Sequence, residues 1–168
     1  MDTPASPIEI YKSEKERLQA LLQTQKKKQS NLGWFRLAII VVTAIVAFQF
    51  FPVSVAGGVI AILVGIGIFL AVVSVDVNNN NAISNTQKLL AINEDEINVW
   101  HHQFYHLYDG AEFMPEVHDY AGDLDLFGKA SLFQYINRGH SQQGRALLAH
   151  NFLNPLLPKE IEERQEAI

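Results

Sequence analysis

The sequence predicts a mainly α protein: an N-terminal helix, a two-helix transmembrane hairpin, and a cytosolic run of short helices. Three observations carry this. An almost uninterrupted apolar stretch runs from Leu37 to Val75, a polar segment rich in helix formers precedes it, and helix-start and helix-stop residues recur after it. The expected organisation is a cytosolic N-terminal helix over residues 1–33, the hairpin over 34–76, juxtamembrane helices and a connector over 77–118, and a helical segment over 119–168.

Ile8 to Ser30 has strong helix formers and mixed charge, with Ile8, Ile10, Tyr11, Leu18, Leu21 and Leu22 as its large apolar positions. That pattern gives a polar helix with a narrow apolar stripe, suited either to a short coiled coil or to a solvated helix that runs on into the membrane. This polar start is not a secretory signal, which opens with a short basic region and an early apolar core.

From Leu37 to Phe51 only Thr43 and Gln49 are polar, and with Trp34, Phe35 and a snorkelling Arg36 at the entrance the span reaches 18 residues. Val55 to Val75 adds 21 residues without a charge. About 20 residues at ~1.5 Å each cross a ~30 Å hydrocarbon layer, so each segment is one crossing and the two together are too long for a single one. Pro52 removes a backbone donor and separates them. Lys26, Lys27, Lys28 and Arg36 precede the first span and the connection carries no charge, which places both termini on the cytoplasmic side of an inner membrane. Gly57, Ala61 and Gly65, four apart, leave one face of the second span open to close packing, with Ala44 and Ala47 as its counterpart.

After the membrane, Asn78 to Asn81 reads as the exit into water. Leu89, Leu90 and Ile92 belong to a following helix, and Asn93 is expected to cap another that runs through Ile97, Trp100, Phe104 and Leu107, with Glu94, Asp95 and Glu96 in its first turn. Asp109 to Gly128 reads as an extended connector. Ser131 and Gln134 fit a capping box, Ser141 starts a helix that Asn154 and Pro155 end, and Pro158 opens a last helix through Ile168.

The formal charge of −5 disfavours nucleic-acid binding by bulk electrostatics, and the absence of Cys excludes disulfides, thiolate metal sites and Cys nucleophiles. His101, His102 and His106 with Asp109 and Glu112 have a permissive metal-ligand spacing, but they lack the Glu of an HExxH arrangement and sit among aromatic residues, so packed or surface histidines are expected. Asp123 and Asp125 alternate with Leu124 and Leu126; extended backbone would turn both leucines to a core and both carboxylates to water. Gly122 to Lys129 has five residues between its glycines and Ala130 after the lysine, whereas a phosphate loop needs four residues and then Ser or Thr. Ser131 and Ser141 lie in no nucleophile-elbow pattern. No catalytic, cofactor or metal residue is assigned.

The segment Asp119 to Ile168 resembles MutS-related proteins, relatives of the DNA mismatch repair ATPases, one branch of which carries an N-terminal membrane hairpin. The residues that carry the resemblance are Asp123 through Gly128, Ser131 through Gln134, Asn137 with Arg138, Gly144 with Arg145, and Arg164 through Ile168. Departures occur at Gly139, His140 and Ser141, where a Thr-rich cap is expected, and at His118, Asp119 and Tyr120, where the family pattern has His-Pro-Tyr. The resemblance implies that 119–168 is the start of a MutS-like helical core. The family's ATP-binding loop and magnesium-holding acids lie downstream of this segment, and its Phe-x-Glu mismatch reader does not occur here. ATP and magnesium are therefore implied only for full-length relatives, and DNA only by resemblance. The expectation is the membrane-anchored N-terminal portion of a MutS-like ATPase, a fragment or truncated product that is not itself an enzyme. Its alternative is a stand-alone membrane adaptor whose cytosolic helices bind a protein partner. The expected partners are the lipid bilayer, a protein or the missing downstream core, and a second copy of the chain.

Overall fold

The structure is a computed structural model that describes residues 6–166, and among these it is mainly helical with no strand. The chain divides into two compact units, Met1–Ile97 and Asn98–Ile168. Helix α1 spans Pro7–Phe50, α2 Val55–Trp100, α3 Leu132–Ile136, α4 Gln142–Leu153 and α5 Pro158–Glu166, with a single 3₁₀ turn at Ala111–Phe113.

The first unit is an antiparallel hairpin. Ser6 precedes α1, its backbone N–H donating to Glu9 Oε2 at 3.0 Å, and Pro7 occupies the first turn, where no backbone donor is needed. Pro52 ends the helix as predicted. Ser54 N–H bonds back to Phe50 O at 2.8 Å and Ser54 Oγ accepts from Gly57 N, so a single serine closes one helix and opens the next. Leu18 and Ala47 of α1 and Gly58, Gly65, Asp76, Asn79, Ile83 and Thr86 of α2 are the buried seam. The α2 positions advance largely by three, four or seven residues, the stepping that keeps two long helices in register as a coiled coil. Cross-helix partners mirror each other about the turn: Thr43 lies against Gly65, Gln29 bonds to Asn80 and Lys15 pairs with Glu94.

Helix α1 runs from the polar segment into the apolar one without a break, one of the two arrangements expected of it, with Leu18 on the same seam as Ala47; α2 runs further than expected. Asn78 to Asn81 lies inside α2, with Asn79 buried and donating to Gln25 O at 3.1 Å, so pairing across the hairpin holds these residues helical. Asn93 does not cap a new helix; its Nδ2 donates to Leu89 O one turn back at 2.8 Å, which leaves the helix intact. The helix stops at Trp100, with His102 at φ 60°, so Phe104 and Leu107 do not continue it.

The second unit closes around aromatic rings. Phe133 is fully buried, and Phe113, Phe127 and Phe152 stand 5.4–6.3 Å from one another or from its ring centre. Ala121, Leu126 and Ala149 complete the core. The segment 109–128 is a series of turns rather than extended chain, because Leu124 N–H bonds to Tyr120 O and Leu126 N–H to Ala121 O. Consequently Leu126 is buried while Leu124 is 60% exposed, against the alternation expected for an extended segment. Gly110, at φ 67°, presses against Phe133 so closely that a Cβ there would lie 2.6 Å from the ring. Ser141 and Pro158 open α4 and α5 as predicted; the last two residues of the expected final helix, 167 and 168, lie outside the described residues.

Candidate membrane anchor and its polar seam

Two helices of the first unit are long and apolar enough to cross a membrane: the most apolar windows of α1 and α2 have mean hydropathies of 1.9 and 2.8. Their side chains point outward. Only 6% and 11% of these windows is buried, whereas the core helix of a water-soluble protein would be mostly covered. Phe48, Ile60, Leu63 and Leu70 are each at least 59% exposed, while the inward face is small: Thr43, Ala47, Gly58, Ala61 and Gly65. A Cβ at Gly65 would collide with the Thr43 side chain, and one at Gly58 would lie 2.9 Å from the Phe51 ring. Gly58 and Gly65 thus make the closest approach, with Ala61 half-buried between them, so the small-residue face predicted at Gly57, Ala61 and Gly65 is displaced by one residue at its first position.

The seam turns polar where the apolar stretch ends. Arg36 does not extend away from the hairpin as a snorkelling side chain would; its guanidinium pairs with Asp76 Oδ2 at 2.9 Å, and the Asp76 side chain is 7% exposed. Asp76 Oδ1 and Gln25 Oε1 are buried without a partner. Gln29 Nε2 donates to Asn80 Oδ1 at 2.8 Å one turn further along. Lys15 and Glu94, 3.1 Å apart, tie the distal end.

Sequence reasoning missed Asp76 and Gln25. The signal for Asp76 was present, since it is the one acid between Glu16 and Glu94 and directly follows the last residue of the second apolar run. Mirroring positions about residue 54 places it opposite Leu32, one turn from Arg36, whose long side chain bridges that offset.

In the second unit the candidate chemistry disperses. Among the described residues no group of three or more His, Asp or Glu could hold a metal ion, and His102 stacks on Tyr135 with ring centres 6.3 Å apart. Asp123 and Asp125 are exposed turn residues, and Gly122 to Lys129 contributes Leu126 and Phe127 to the core. Ser131 is buried and its Oγ accepts from Gln134 N at 3.1 Å; Ser141 Oγ accepts likewise from Gly144 N. The Gln134 side chain departs from a full capping box. Its Oε1 accepts from Ala130 N at 2.8 Å and its Nε2 donates to Leu107 O at 2.7 Å, so it stitches three chain segments together from inside the core. Arg145 lies 4.1 Å over the Tyr108 ring and donates to Gly139 O. Burial, reinforced by a hydrogen bond to the Glu112 carboxylate, pushes the Tyr108 phenol up to about 12.

Comparison with protein-family models, with curated proteins and with solved structures finds no match.

Proposed function

We propose that this chain is a membrane anchor: residues 34–76 cross a cytoplasmic membrane twice as a tight hairpin, and the rest of both helices and the second unit stand on the cytoplasmic side. The observation that carries this reading is the inverted hairpin, with large apolar side chains outward and glycine, alanine and threonine inward, an arrangement that water disfavours and hydrocarbon permits. The charge layout gives the orientation, because Lys26, Lys27, Lys28 and Arg36 flank the first span and no charge occurs in the turn. Carbonate washing should leave the chain in the membrane pellet, and release by salt alone would refute the anchor. Protease added outside sealed inverted vesicles, whose cytoplasmic face is outward, should remove both arms; protection of either arm would refute the orientation.

What the anchor carries is suggested by the resemblance to MutS-related proteins. In support, residues that bear the resemblance are those that build the second unit: Leu126, Phe127 and Phe133 pack its core, and Ser131 and Gln134 hold its turns. They are structural, so the resemblance brings a role in holding a MutS-like protein at the membrane without bringing a catalytic residue. The adaptor reading, in which the second unit binds a separate protein, rests on the same closed core. The reading frame beyond codon 168 separates them: a loop ending Gly-Lys-Ser or Gly-Lys-Thr several hundred residues on supports the MutS-like reading, and an immediate stop supports the adaptor. The purified chain should show no magnesium-dependent ATP turnover and no preference for mispaired over paired duplex; turnover abolished by Lys129→Ala would overturn that expectation.

A further inference from the structure

The charge of the hairpin is unevenly spread along its length. Between Leu18 and Asn93, where the helices leave the apolar region, the permanent charges are Lys26, Lys27, Lys28, Arg36, Lys88 and Asp76. Asp76 is engaged by Arg36. The acids gather at the far end, at Glu9, Glu14, Glu16 and at Glu94, Asp95 and Glu96. On α1, Lys27, Asn31, Trp34 and Ala38 recur by three or four residues on the side opposite the seam, with Lys28 and Phe35 flanking them, and all six are exposed. Asn31, Trp34, Phe35 and Ala38 line a shallow groove of about 250 Å³, with Trp34 and Phe35 69% and 64% exposed.

We propose that this face of α1 is a binding site for an anionic phospholipid. The inference rests on the membrane reading above. An acyl chain lies along Ala38 and the two rings, while the phosphate meets the Asn31 amide and the ammonium groups of Lys27 and Lys28, one turn or about 6 Å further along the helix. A zwitterionic lipid fits the rings equally well but carries its own cation, so the lysines favour a headgroup with net negative charge. Arg36 takes no part because Asp76 holds it inside the seam.

The test is the full chain carrying Trp100→Phe, so that Trp34 is the sole indole, reconstituted in phosphatidylcholine vesicles containing phosphatidylglycerol. Either lipid is supplied in turn with brominated acyl chains, which quench an adjacent indole. Brominated phosphatidylglycerol should associate at Trp34 about fivefold more strongly than brominated phosphatidylcholine, the worth of one well-placed lysine. Lys27→Gln with Lys28→Gln should bring the ratio near unity, whereas Lys12→Gln with Lys159→Gln should leave it unchanged. Equal quenching by the two lipids in the parent, or an unchanged ratio in the Lys27 and Lys28 variant, overturns the site while leaving the anchor standing. Quenching by neither lipid overturns the anchor itself. Abolition of the preference by added inorganic phosphate would assign the face to a soluble anion and overturn the lipid assignment.

Discussion

The two units bury opposite kinds of side chain. Across the apolar stretch of the hairpin, glycine, alanine and threonine lie inside while phenylalanine, isoleucine and leucine face out, whereas further along the seam Leu18 and Ile83 are buried; in the second unit phenylalanine fills the centre. Water drives the second arrangement, since each buried aromatic ring removes a large apolar area from solvent. In hydrocarbon no such drive exists between helices, and close backbone contact and satisfied polar groups decide instead. With the apolar stretch in a membrane, as proposed, one chain would obey two packing rules, and large apolar side chains already turn inward at Leu18 and Ile83, within the hairpin itself.

The comparison breaks most sharply at Phe133. Phe133→Ala should destabilise the second unit by about 3–5 kcal/mol through loss of burial and the cavity left behind, yet leave the hairpin untouched. Hydrogen exchange resolved by segment should accelerate over 104–153 and stay slow over 37–75; equal acceleration of both would show that the units do not behave as distinct cores. Gln134→Ala should follow at about 1–2 kcal/mol, because it removes the buried side chain that bonds the partly covered Ala130 N–H and Leu107 carbonyl.

Within the hairpin the rule is reversed, so adding volume should harm and removing it should not. Ala61→Leu should lower the thermal stability of detergent-solubilised protein by about 1–3 kcal/mol through forced separation of the helices. Val59→Leu, on the outward face, should change it little, and equal effects of the two would remove the argument from close approach. Asp76→Ala should cost about 1–2 kcal/mol by leaving Arg36 unpaired, a figure reduced from that of a fully buried pair because the Arg36 side chain, 31% exposed, still reaches solvent.

The smallest effect concerns Tyr108. Its folded-state pKa lies above the ordinary value of 10, so the stabilisation linked to its protonated form is complete below about pH 10 and is lost as pH rises towards about 12. Absorbance titration should show a phenol ionising well above the ordinary 10, and Tyr108→Phe should remove that late component.

The hairpin was legible because its signals are compositional: 21 uncharged residues, a proline stop and a basic flank survive any detail of packing. Ser141 and Pro158 were legible because capping is a local preference. Asn93 misled because its side chain bonds back to Leu89 O within the helix instead of capping a new one, and the polar run Asn78 to Asn81 stays helical with Asn79 bonded across the seam to Gln25 O, far away in sequence. The turns at 120–126 were obscured because alternating leucines imitate a strand, and only the backbone bonds to Tyr120 and Ala121 reveal the coil.

In the proposed anchor, the unbroken passage of α1 and α2 out of the apolar region would make the hairpin a mechanical lever. From Asp76 to Glu94 the backbone hydrogen bonds of α2 run without a break over a length of about 27 Å. Membrane helices adopt a range of tilts, and a change of about 10° would sweep the Lys15–Glu94 end sideways by about 5 Å. A shift in bilayer thickness would be felt at that end as displacement, without any hinge to absorb it.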